Sequence, residues 1–90
     1  MNLYLISQNE NEYYDTYDSA VVAEENEEEA RNIHPETHYS IRTNEYYWEI
    51  HSNSWASDPK KVTVTLIGTA IEGTLPGIIC TSYNEGYYRK

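Results

Sequence analysis

The run KVTVTLIGTAI, residues 61–71, restricts the fold more tightly than any other stretch of the chain. β-Branched residues recur through it, and Val62, Val64 and Leu66 fall on one side of a two-residue period, the pattern of a strand with one buried face. A strand needs neighbours, and 90 residues supply one small core with a single covering layer. EGTLPG, residues 72–77, then reads as a turn built on Gly and Pro, and IICTSY, residues 78–83, as the returning strand.

Upstream, NLYLIS at residues 2–7 is a second strand-like run, with Leu3 and Leu5 on one face and Tyr4 and Ile6 on the other. Residues 8–19, QNENEYYDTYDS, break the alternation with dense Asn, Asp and Ser, which reads as a loop or a wide hairpin connection. AVVAE, residues 20–24, resumes as a strand. In AEENEEEARNIHP, residues 23–35, Asn26 precedes Glu29 by three positions, a capping-box spacing that starts a helix. Glu27, Glu28 and Glu29 fill its first turn, where the helix dipole favours acids, and Glu27 is placed to pair with Arg31. Ala30 and Ile33 mark its inner face, Arg31 and His34 suit its last turn, and Pro35 stops it after two to three turns. YYWEIH, residues 46–51, is a further strand candidate, and SNSWASDP, residues 52–59, a turn. The resulting order, β-β-α-β-β-β, predicts an α+β domain: one mostly antiparallel sheet with one short helix packed across it.

Charge narrows the partners. Residues 1–30 hold nine acids and no base, whereas residues 31–90 hold six of each, so the whole net charge of −9 sits in the first third. Phosphate contacts need clustered Lys and Arg, and only Lys60-Lys61 and Arg89-Lys90 are adjacent, which disfavours direct nucleic-acid binding and points to a basic protein surface. No run approaches the roughly 20 apolar residues of a membrane-spanning helix. The opening MNLYLISQ lacks a basic start, so no signal peptide is expected, and the single Cys80 offers no disulfide framework. The expected location is the cytoplasm of a host cell.

Catalytic and metal readings find little footing. His34, Glu36, His38 and His51 could in principle gather around a metal, but Pro35 prevents the first two histidines from sharing a helical face. Cys80 lies in an apolar strand beside Ile78 and Ile79 with no cation nearby to activate it, and reads as a buried structural thiol. The acid pairs Glu10/Glu12 and Asp15/Asp18 lie on a loop without an apolar pocket to split their pKa values. The four glycines are isolated, so there is no phosphate loop. The expectation is a non-enzymatic protein without a cofactor or metal.

A binding surface is better founded. ENEYYDTYD, residues 10–18, interleaves Glu10, Glu12, Asp15 and Asp18 with Tyr13, Tyr14 and Tyr17, the residue types that meet Arg and Lys by ion pairing and by cation–π contact. Glu27 and Glu28 would extend this partner-binding set if the helix start shared a face with the loop. Asn-Glu followed by a Tyr doublet recurs at residues 11–14, 44–47 and 84–88, read as three turns whose tyrosines could converge.

NLYLISQ, YDTYDSAVVAEENEEEARNIHP, WAS ahead of VTVTLIGTA, and PGIICTSYNEG together resemble a family of small uncharacterised proteins of phages, prophages and bacterial genomes. The sequence departs from that family's pattern at Glu12 and Tyr13, where a Gly or an apolar residue is usual. The resemblance implies a phage habitat and an anti-defence role of the anti-CRISPR kind, namely inhibition of a host factor. Two other expectations stand beside it. One is a nucleotide or metabolite module with an aromatic cleft lined by Tyr46, Trp48 and Trp55; the other is an accessory protein forming a homodimer through a strand edge.

Overall fold

The computed structural model describes residues 1–37, 48 and 53–84. Four strands, β1 (Asn2–Ser7), β2 (Thr16–Glu24), β3 (Thr63–Thr69) and β4 (Gly77–Asn84), form one antiparallel sheet in the order β3-β1-β2-β4, crossed by a short helix, α1 (Glu27–Arg31). Two 3-10 turns, Pro35–Thr37 and Pro59–Lys61, flank these elements. The α+β expectation therefore holds. Of the further strand expected at residues 46–51, only Trp48 is among the described residues, and its backbone is helical.

β1 and β2 are the central hairpin, with Tyr4 opposite Val22 and Ile6 opposite Ala20. These four point to one face and are buried, while Leu3, Leu5 and Val21 on the other face are half-buried. α1 lies over the first face. Five residues are too few to be helical alone, so packing must hold it. Ala30 and Ile33 supply that packing at 0 and 2% exposure, Ile33 contributing about 1.5–3 kcal/mol when fully buried. Trp48, Trp55, Ala56 and Val62 complete the core.

The helix start follows its sequence. Asn26 Oδ1 accepts from Glu29 N at 2.9 Å, and Arg31 pairs with Glu27 at 3.0 Å. Its end comes earlier than Pro35 suggests. Asn32 Nδ2 donates to the Glu28 carbonyl at 2.9 Å, and Asn32 N turns back to Glu29 O, closing the helix after Arg31. His34 thus lies past the helix, fully buried, accepting from Glu36 N at its Nδ1 and meeting the Trp48 ring edge-on.

Three further expectations are corrected. β2 begins at Thr16, four residues before the apolar run, because Thr16 and Tyr17 pair with Asn84 and Tyr83 while Asp18 is a bulge. β4 does not return beside β3. β1 and β2 occupy one edge of each other, so each outer strand takes the edge that remains, and residues 70–76 cross the end of the hairpin to reach it. The positive φ of Gly73, 92°, shapes that crossing, where Thr74 N donates to Ile71 O. Cys80 is exposed, since its register opposite Val21 places it on the face that α1 does not cover.

Candidate functional site

Alternation along β1 carries the inward face from Tyr4 and Ile6 to the residue just past the strand, Gln8, which is buried at 8% exposure. A buried amide must be bonded, and this one is used on both sides. Gln8 Nε2 donates to the carbonyls of Asn11 (2.7 Å) and Tyr17 (2.8 Å), while its Oε1 accepts from the backbone N–H of Glu10 (2.7 Å) and Asn11 (2.9 Å). One side chain therefore sets the path of the loop, residues 8–15. Asn11 Nδ2 reaches the Trp55 carbonyl at 2.7 Å, and Tyr17 N reaches Ser54 O at 2.8 Å, joining the loop base to the core.

The far side of the loop is fixed by the end of β4. Asp15 takes the left-handed conformation, φ 63°, which Asp tolerates better than most residues, and its N–H donates to Asn84 O. Its Oδ1 accepts from the Tyr83 hydroxyl at 3.2 Å. Asn84 Nδ2 donates to Asp18 Oδ1 (2.9 Å) and Thr16 Oγ1 (3.2 Å), and Thr16 Oγ1 donates to the Tyr13 carbonyl at 2.6 Å. What this framework holds out is the tip: Tyr13 is 84% exposed and Tyr14 57%, with ring centroids 6.3 Å apart and planes inclined by 29°. Glu12 beside them is exposed and has no bonded partner among the described residues.

The expected partner-binding residues therefore separate into distinct roles. Glu10 is a latch: its carboxylate accepts from Ser57 N (2.9 Å) and Ser57 Oγ and lies 3.4 Å from Lys61 Nζ. The Ser57 N–H leads in holding its pKa below the ordinary value, with burial opposing it and the Ser57 hydroxyl and Lys61 adding to it. Tyr17 is a core residue, 7% exposed, packed against Tyr83 with ring centroids 4.7 Å apart and planes inclined by 51°, and donating to Glu36 Oε1 at 3.3 Å. Asp15 and Asp18 are partly engaged by Tyr83 and Asn84. Glu12, Tyr13 and Tyr14 make the outward surface.

Glu27 and Glu28 do not join it. The loop enters β2 at Thr16 and the helix follows its exit at Glu24, so the strand places them on the order of 25 Å apart, beyond the ~8 Å screening length of physiological salt. Glu27 is also neutralised by Arg31, and Glu28 bonds Asn32. The run of glutamates is a helix start, separate from the acids of the loop.

The aromatic cleft is not where its residues suggested. Trp48 and Trp55 are 2 and 0% exposed and pack inside the core, and Tyr46 lies outside the described residues, as do His38 and His51. So do the second and third tyrosine doublets, although Asn84, the first residue of the third echo, sits against Thr16 and Asp18. Among the described residues, no helix is long and apolar enough to cross a membrane. No family model, curated protein or solved structure matches the chain.

Proposed function

We infer that this chain is a non-enzymatic binding protein that inhibits a host factor by presenting Tyr13 and Tyr14, with the carboxylates of Glu12, Asp15 and Asp18 around them, to a basic protein surface. The observation that carries this reading is the tip itself. Two large aromatic side chains stand in solvent on a loop whose backbone is bonded from within by Gln8 and from outside by Asn84. Tyrosines this exposed offer a ready contact area to a partner. A pre-set loop loses little conformational freedom on docking, and Tyr brings a wide contact area with few rotatable bonds. Flanking carboxylates select Arg and Lys, which pair with the acids and stack on the rings. The resemblance to phage proteins supplies the class of target, a host defence factor.

Affinity capture from bacterial extract at low salt tests this, comparing the native chain with Tyr13→Ala/Tyr14→Ala, Glu12→Lys and Glu27→Lys. A basic protein retained by the native chain and by Glu27→Lys, and lost with the other two, is the expected result. Equal retention by all four would overturn the proposal.

A further inference from the structure

The charge that crowds the first third of the chain is missing from its sheet edges. Between Lys61 and Glu85 the only charged residue is Glu72, and β3 itself, TVTLIGT, holds neither a charge nor a proline. β3 is an outer strand, paired with β1 alone among the described strands. Natural edges are guarded by charges, prolines, bulges or a covering element. β3 has one such device, a bulge where its register against Leu3 and Tyr4 shifts, and two large apolar side chains beside it, Leu66 and Ile67, are 61 and 51% exposed. In a chain of charge −9, an uncharged strand with exposed Leu and Ile is a surface prepared for a neighbour.

The residues at the two ends of the strand say which neighbour. Lys60 and Lys61 precede β3, and Glu72 follows it. If two antiparallel copies of β3 overlap fully, Thr63 of one faces Thr69 of the other, and Lys60, in the 3-10 turn before β3, comes to the same end of the paired strands as Glu72, in the turn after β3 of the second copy. The two-fold operation repeats the pair at the other end. Lys60 and Glu72 are both exposed and have no ion-pair partner among the described residues, so both are free to engage. Leu66 falls on the axis, where it meets its own copy, and the bulged Ile67 of each copy faces Thr65 of the other, so one bulge lies on either side of the axis. Every residue near a two-fold axis faces itself or a close neighbour, so like charges within the strand would oppose each other, and there are none. A partner chosen by complementarity to the acids of this chain would instead be expected to meet a charged edge.

We propose that the protein forms a two-fold symmetric dimer by antiparallel pairing of β3 with β3 of a second copy, joining the two four-stranded sheets of the described residues into one, with Lys60 of each copy at the end of the seam that Glu72 of the other occupies. The tyrosine tip, held on its far side by the end of β4, remains exposed on both copies, so the dimer presents it twice. Two linked tips would raise the apparent affinity for a target that offers two sites.

Sedimentation equilibrium across a wide protein concentration range tests the proposal, with circular dichroism confirming that each variant is folded. The native chain is expected to show a monomer–dimer equilibrium. Lys60→Glu and Glu72→Lys should each weaken the dimer by roughly tenfold, since each reversal sets like charges together at both ends of the seam, and combining them should restore it. Ile67→Lys, which adds a charge beside the axis, should leave monomer only. A native chain that stays monomeric at the highest concentration overturns the proposal. So does a dimer indifferent to Ile67→Lys and to both reversals, because such a dimer uses another surface or another edge.

Discussion

Gln8 Nε2 donates to the Tyr17 carbonyl at 2.8 Å, joining the residue that follows β1 to the second residue of β2 and closing the base of the loop that holds out Tyr13 and Tyr14. Three further bonds from the same amide run along the loop, to Glu10 N, Asn11 N and Asn11 O. Gln8→Ala strands these four backbone groups near the protein interior. Net losses of about 1 kcal/mol per bond, partly recovered by water, give an expected destabilisation of roughly 2–3 kcal/mol in urea unfolding. Faster amide exchange confined to the loop would accompany it.

Replacing the tip itself should do the opposite. Tyr13 is 84% exposed, so Tyr13→Ala should change stability by no more than about 0.5 kcal/mol while weakening partner capture. Unfolding curves that overlay those of the native chain would separate loss of binding from loss of fold.

Glu10 predicts a pH dependence. Its pKa in the folded chain is lowered, chiefly by the Ser57 N–H, so its bonds to Ser57 and Lys61 stabilise the fold above the unfolded value of 4.5 and are lost as pH falls through the lower folded value. Because this latch is partly exposed, Glu10→Gln should cost no more than about 1 kcal/mol at neutral pH. Thermal unfolding measured from neutral to strongly acidic pH should show the difference from the native chain closing at the acid end.

Glu24 predicts the reverse. It is 7% exposed at the end of β2, and burial first, then repulsion from Glu29 and Glu25, raises its pKa. The folded chain therefore holds this proton more tightly than the unfolded chain, and ionisation weakens the fold as pH rises from 4.5 through the raised value. Glu24→Gln should increase Tm at neutral pH, with the gain vanishing below pH 4.5, where both forms are neutral.

Much of the sheet is legible in the sequence because alternation decides it. β1 spans the expected residues 2–7, and the cap at Asn26 and the Glu27–Arg31 pair follow from spacing alone. Where the sequence misleads, a distant contact overrides local composition. Thr16–Asp18 read as loop because they are polar, yet Asn84 and Tyr83, more than sixty residues away, draw them into a strand. β4 read as the return of a hairpin because EGTLPG has turn chemistry, and only the pairing of β1 with β2 sends it to the opposite edge. The acids and tyrosines of the loop are legible as a group, but only Ser57 and Glu36 beside them separate Glu10 and Tyr17 from Glu12 and Tyr13. Gln8 was within reach: it continues the buried Tyr4 and Ile6 face by one more step of two, and a polar residue in that position needs partners.

The most direct test of a preformed tyrosine tip is backbone ¹⁵N relaxation of the free protein. If Gln8 and Asn84 fix the loop as their bonds require, the amides of residues 10–15 should have order parameters near those of β1 and β2, about 0.85, and Gln8→Ala should lower them. Values below about 0.6 across the loop in the native chain would contradict the account, because a tip that samples many conformations is not prepared for a partner.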